Sequence, residues 1–226
     1  AASALTDGLD DDVIAMLESG KNVIATVGYH HVARSNSASE KRQSAQRLQQ
    51  AALAGRSSLY GGGVHPSYLT ERVAMTLAAG LGDAQHIRTI EALDFSGAPA
   101  DMWGGLAAIG FGSDPDAISA DNMLARYGDM YYGDTVANLA FSLTGSDDVR
   151  IENQVFARPA AARLELPSIT IHAGTVAALH LVTKAFVGAA CVATNEEVWF
   201  LGAPNAFHGD DLPFGNWNQG LVTYTI

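Results

Sequence analysis

Gly61-Gly62-Gly63-Val64-His65-Pro66-Ser67-Tyr68 decides how the rest of the chain is read. Leu59-Tyr60 runs into it and an amphipathic pattern leaves it. Three glycines let the backbone turn with φ > 0 and come close to a neighbour, because no Cβ stands in the way. Pro66 suits the first turn of a helix, where its missing N–H removes no hydrogen bond. The stretch therefore predicts a strand, a glycine turn and a helix N-terminus. Such a terminus presents free N–H groups and a partial positive charge, which suit a ligand oxygen. A tight strand-to-helix connection without a ligand is the plainer reading of the same residues.

Upstream, Asp10 is placed to cap a short helix with Val13, Ile14 and Leu17 on one face, and Gly20 to stop it. Residues 21–27 (Lys-Asn-Val-Ile-Ala-Thr-Val) form a buried-strand run. Helix, glycine stop and apolar strand make the second half of a βαβ unit. Gly28-Tyr29-His30-His31 falls at the end of that strand, and ligands collect at the carboxyl ends of parallel strands. A polar loop over 33–38 leads to a predicted helix over 39–54, with Ser39 as cap and Ala45, Leu48 and Ala52 inward. Downstream of the glycines, Leu69, Val73, Ala74 and Leu77 keep a helical stripe that predicts a helix over 66–79.

The pattern changes at Gly80-Leu81-Gly82-Asp83. A strand is expected over 87–95, one or two helical turns over 102–111, and helices over 116–127 and 129–143, closed by Gly145. Strands then dominate: 149–157, 161–166, 169–187, 189–201 and 221–226, with Gly188 turning the long pair into a hairpin. The fold class is α/β followed by α+β. Residues 1–80 form the C-terminal half of a Rossmann-like domain, and residues 81–226 a mixed-sheet α+β domain. If residues 169–187 ran as one strand, both its faces would be largely apolar, and one would need a partner. A homodimer or homotetramer through the C-terminal sheet is expected to supply it.

Composition excludes several classes. The 226 residues are 48% hydrophobic and 16% charged, which marks a globular chain. A net charge of −11 argues against a nucleic-acid partner and leaves no basic patch for anionic lipid. The most apolar window, 174–193, holds His180 and Lys184 and reads as two strands, not a membrane span. Cys191 stands alone, so there is no disulfide framework and no cysteine zinc site. A reduced, cytoplasmic compartment fits. No metal is expected: His208, Asp210 and Asp211 cluster in a Gly/Pro/Asn-rich loop, where acids are usually solvated.

The order of these segments resembles the dihydrodipicolinate reductase superfamily, nearest its branch of 2,4-diaminopentanoate dehydrogenases and native amine dehydrogenases. The resemblance rests on residues 19–26 (Ser-Gly-Lys-Asn-Val-Ile-Ala-Thr) and on the Gly61–Tyr68 stretch. It continues in Ala84-Gln85-His86-Ile87-Arg88 with Asp94, and in Ala173-Gly174-Thr175-Val176-Ala177-Ala178. It implies an NAD(P)-dependent oxidoreductase that moves hydride between a nicotinamide and a C=N or C=O substrate. The C-terminal domain would carry substrate and subunit contacts. A non-catalytic ligand-binding or oligomerisation module derived from such an enzyme is the alternative. The sequence has no G-x-G-x-x-G after a strand, so the pyrophosphate-binding half is expected before Ala1, making the chain a fragment, a processed product or a degenerate relative. Amine-dehydrogenase relatives carry an acid in the loop after Thr26; here no carboxylate precedes Glu40. His65 stands where the branch has Asn, which puts a titratable ring in place of an amide.

The resemblance assigns Thr26, Gly28, Gly62, Gly63 and His65 to the cofactor. Tyr29 and His30 are the candidates for catalysis, and Tyr68, His172 and Trp103 for substrate. His30 and His31 point opposite ways on an extended segment, so at most one faces a pocket. His65 precedes proline and is held extended, and beside a helix start its ring favours the neutral form. His172 reads as a buried, hydrogen-bonded histidine, and Trp103, Trp199 and Trp217 as core or interface.

Overall fold

Three acids, Asp10, Asp11 and Asp12, open the first helix, α1 (Asp10–Glu18), where negative charge complements the helix end. The computed structural model describes residues 9–26, 28–30, 39–118, 124–125, 128–202 and 222–225. Leu9, not Asp10, holds the cap position of α1. The Asp10 carboxylate is instead taken by Tyr29, whose hydroxyl donates to Oδ1 at 2.8 Å, and by the Ser44 hydroxyl. Strand β1 (Val23–Ala25) follows the Gly20 stop, then α2 (Ser39–Gly55) and β2 (Leu59–Gly61). β1 and β2 pair in parallel with Val23 opposite Leu59 and Ala25 opposite Gly61. Val13 and Leu17 of α1 pack with Leu48 and Ala51 of α2. Leu17 and Leu48 are buried, each contributing about 2 kcal/mol.

The helix after β2 departs from the expected stripe. A segment with i→i+5 turns (Val64–Val73), broken near its start by the extended His65, leads into α3 (Ala74–Ala79), and the Tyr68 N–H donates to the Gly63 carbonyl at 2.9 Å. The buried face is Pro66, Ser67, Thr70, Glu71, Ala74 and Ala78, and Leu77 is left 55% exposed. Strand β3 (Ile87–Asp94), a 3-10 turn (Ala100–Met102), α4 (Trp103–Ile109) and a 3-10 turn (Pro115–Ala117) come next. Of the helix expected over 116–127, residues 119–123 and 126–127 lie outside the described residues. A π-helical turn (Gly128–Gly133) then leads into α5 (Asp134–Thr144), closed by Gly145 at φ 73°.

The remaining strands are β4 (Arg150–Pro159), β5 (Leu164–Glu165), β6 (Thr170–Ile171), β7 (Val176–Val187), β8 (Ala190–Phe200) and β9 (Val222–Thr225). Five of them form one sheet in the order β4-β7-β8-β3-β9, with β3 and β9 antiparallel. β5 and β6 make a separate antiparallel pair. The single strand expected over 169–187 is broken. Gly174 takes φ 82° and the His172 carbonyl accepts from the Thr175 N–H and hydroxyl, so a turn separates β6 from β7. Val176 and Ala178, expected on an open face, are buried within the chain.

The chain divides into two compact units. The first comprises Ala1–Ile87, Met130–Ile151 and Lys184–Ala193, and the second Arg88–Asp129, Glu152–Thr183 and Thr194–Ile226. In the first, Ala74 and Ala78 of α3 pack with Val136, Leu139 and Ala140 of α5 and with Ile87, Ala185, Val192 and Ala193. The fold is thus α/β followed by α+β, with a partial Rossmann-like region at its start.

Candidate functional site

The carboxyl ends of β1 and β2 meet in the first unit. The Gly62 N–H donates to the Ala25 carbonyl at 2.8 Å, so the two strand ends stay in register. Gly63 then takes φ 145°, ψ 172°, and a Cβ there would lie 2.2 Å from the Thr26 carbonyl oxygen. A Cβ on Gly61 would lie 2.1 Å from the Tyr29 carbonyl oxygen. The glycines are thus required by the approach of one strand end to the other, and they leave the turn lined by backbone. Gly28 and Tyr29 both have positive φ (71° and 55°), which bends the segment after β1 back over the Gly61 backbone. Thr26, Gly28, Tyr29, Gly62 and Gly63 are therefore brought together.

His65 is extended, at φ −129°, ψ 132°, and is followed by a cis peptide bond to Pro66. Its Nε2 shares a 2.9 Å hydrogen bond with the hydroxyl of Tyr132, and the two rings meet edge to face with centroids 5.6 Å apart. Tyr132 is 3% exposed. It is a functional candidate that the sequence places only on a helix, not at the site, because the pairing spans 67 residues. Glu71 and Asn138 were also illegible. The Asn138 side-chain amide donates to Glu71 Oε2 and to the His30 carbonyl, both at 2.9 Å, and Arg72 Nε lies 3.1 Å from Glu71 Oε1. Glu71, on the helix after β2, is a buried carboxylate tied through Asn138 to the His30 carbonyl.

Tyr29 is half-buried, and burial together with the neighbouring Asp10 carboxylate pushes its hydroxyl well above the usual tyrosine range. That hydroxyl stays protonated and donates to α1. Tyr68 is exposed. Trp103 and His172 belong to the second unit. Trp103 is buried on α4, and His172, expected buried, is exposed in the turn before β7 because its backbone carbonyl, not its ring, serves that turn. His31, His208, Asp210, Asp211 and Trp217 lie outside the described residues.

The second unit carries buried acids on two neighbouring strands. Glu91 of β3 and Glu197 of β8 are both buried, with carboxylate oxygens within 4.8 Å of each other. Asn195 donates to Glu197 Oε1 at 2.8 Å and accepts from the Thr89 hydroxyl at 2.8 Å. Burial and the neighbouring Glu91 push the Glu197 carboxyl well up. Glu196 points the other way along the same strand. It contacts His180 Nε2 at 2.8 Å and Arg88 Nε at 2.6 Å. Burial raises its carboxyl, but these two partners outweigh it and hold the group at about 2.

Two parallel strands connected through a helix, with a glycine turn after the second and a five-stranded sheet further on, define part of a Rossmann-like α/β fold. Solved structures share this fold. An amine dehydrogenase from Mycobacterium smegmatis superposes with a TM-score of 0.60 at 14% identity, over 90% of this chain and 58% of that one. An NAD binding oxidoreductase from Klebsiella pneumoniae (TM-score 0.40, 14% identity, 87% of this chain, 46% of that one) is also similar. So is a probable dehydrogenase from Thermotoga maritima (0.41, 14%, 88% and 48%). At such identity the likeness shows the fold, and the chain spans 58% of the length of the first of them. No protein-family model and no curated protein matches the chain. Among the described residues, no helix is long and apolar enough to cross a membrane.

Proposed function

We propose that this chain is the nicotinamide-side portion of an NAD(P)-dependent oxidoreductase acting on a C=N or C=O substrate. The observation that carries this reading is the side-chain-free turn at Gly62–Gly63, pressed on the Thr26 carbonyl at the carboxyl ends of two parallel strands. Such a crevice is where open α/β sheets take nucleotides. The residues present fit a flat amide-bearing ring: backbone groups on both banks, and the His65–Tyr132 pair as polar partners. A nicotinamide, when bound, supplies or accepts the hydride. Thr26 and Gly28 form one bank for it, and Gly62, Gly63 and His65 the other.

The chain's own chemistry is positioning and proton handling. Reduction of C=N or C=O needs a proton at the heteroatom, and oxidation returns it. The 2.9 Å bond between His65 Nε2 and the Tyr132 hydroxyl is short enough to pass a proton between the rings. Burial of Tyr132 keeps that path from water. His30, on the neighbouring bank, is the second proton-transfer candidate, while the Tyr29 hydroxyl orients the segment by its bond to Asp10.

Saturation-transfer NMR with reduced nicotinamide mononucleotide tests the reading. Transfer to the ring protons is expected with the full chain and should fall at least about fivefold in Gly63→Val and His65→Ala. No transfer at millimolar ligand would sink it.

A further inference from the structure

We infer that Asn138 is a positioning residue that sets the spacing between the two banks of this crevice. The inference rests on the nicotinamide reading for its consequence, though not for its geometry. The bank after β1 includes His30, and the bank after β2 continues into the helix that carries Glu71. They come from strands whose parallel ladder is 3 residues long, Val23–Ala25 with Leu59–Gly61, extended by the Gly62 N–H on the Ala25 carbonyl. So short a ladder leaves the segments beyond it to be fixed by other contacts. Asn138, on α5, reaches both: its Nδ2 donates to the His30 carbonyl and to Glu71 Oε2, each at 2.9 Å.

The residue type suits the task. A primary amide has two N–H groups on one nitrogen, so one side chain can satisfy a carbonyl and a carboxylate at once. An aspartate of the same shape could do neither, and would place a second negative charge beside Glu71. Glu71 is itself buried and held from its other side by Arg72, so it is a firm anchor. α5 in turn is fixed by Val136, Leu139 and Ala140 in the core of the first unit. The chain of support runs from that core through Asn138 to the His30 backbone. It places the His30 carbonyl by a side chain 108 residues away.

The full chain tests this without a cofactor first. A through-hydrogen-bond scalar coupling between Asn138 Nδ2 and the His30 carbonyl carbon is expected; its absence overturns the tie. Three variants follow, read by thermal midpoint, by the Gly28 and His30 amide shifts, and by titration with reduced nicotinamide mononucleotide. Asn138→Asp should lower the midpoint and displace both amides. Asn138→Asp with Glu71→Gln exchanges donor and acceptor between the helices. It should recover the midpoint but not the amide shifts, and ligand affinity should stay about tenfold weak, because the His30 carbonyl still lacks its donor. Glu71→Gln alone keeps that donor and should leave the Gly28 and His30 shifts in place. Wild-type shifts in the exchanged pair, or shifts displaced by Glu71→Gln as far as by Asn138→Asp, overturn the inference. If the unaltered chain ignores the nucleotide, the nicotinamide reading fails, while the coupling and the amide shifts still decide the role of Asn138.

Discussion

Gly63 combines two constraints that act on the same atom. Its φ of 145° lies where L-residues are strained, and a Cβ would meet the Thr26 carbonyl oxygen at 2.2 Å. Gly63→Ala is expected to destabilise the fold by about 1–3 kcal/mol, read as a lower denaturation midpoint. An unchanged midpoint would mean that the strand ends separate freely. This glycine was legible in the sequence because the demand is local: three glycines before a proline say turn, whatever they touch. His65 was legible for the same reason, since the residue before proline is pushed to extended backbone. Tyr132, Glu71 and Asn138 were not. Their roles depend on contacts across 67 or more residues, and nothing in a helical Tyr or Asn announces its partner.

Strands and helices were read best where one pattern dominates. The β1–α2–β2 unit and the β7–β8 hairpin at Gly188 stand close to where periodicity and glycine placed them. The helix after β2 kept its span but turned its face, because the buried stripe is partly polar, with Ser67, Thr70 and Glu71 beside Ala74 and Ala78, and a search for apolar periodicity passes over it. Strand β8 shows what alternation hides. Its neighbours Glu196 and Glu197 face opposite sides of the sheet and titrate in opposite directions. Glu196, held at about 2, gives stability that is present above the ordinary glutamate range and lost as pH falls toward 2. Arg88 is half-exposed, so solvent discounts its share. Glu196→Gln should cost about 1–3 kcal/mol at pH 7 and a small fraction of that at pH 2, measured by urea unfolding at both. Glu197 behaves inversely. Its folded-state affinity for a proton is raised, so stability is full below the ordinary glutamate range and falls as pH rises through the folded value. Glu197→Gln keeps an acceptor for Asn195 and removes the ionisable group. It should be neutral near pH 4 and stabilising by about 1 kcal/mol or more at pH 9. Equal effects at the two pH values would place the proton elsewhere.

Assembly is argued at the scale of the whole molecule. The expectation of a partner for the C-terminal sheet rested on a long two-faced strand, and that strand is interrupted at Gly174. Val176 and Ala178 are already covered, so a charge at either would unfold the chain and report nothing about association. On the second unit a row crosses four neighbouring strands: Phe156 of β4, His180 of β7, the buried Glu196 of β8 and Arg88 of β3. Phe156 is 45% exposed and lies tilted against His180 with centroids 5.8 Å apart, so the row is apolar at its β4 end and half-exposed and charged at Arg88. We propose that two copies pair through this row about a two-fold axis, which brings the Phe156 side chains together and covers the half-exposed Arg88 that is paired with Glu196. Light scattering after size exclusion should then give twice the 23.7 kDa chain mass at micromolar concentration, with dissociation promoted by salt. Phe156→Asp should give monomers, and Phe156→Leu, which keeps an apolar side chain against His180, controls for the loss of that intrachain contact in the thermal midpoint. A monodisperse 23.7 kDa species from the unaltered chain would remove this face as an interface. A Phe156→Asp dimer would move the interface to another surface.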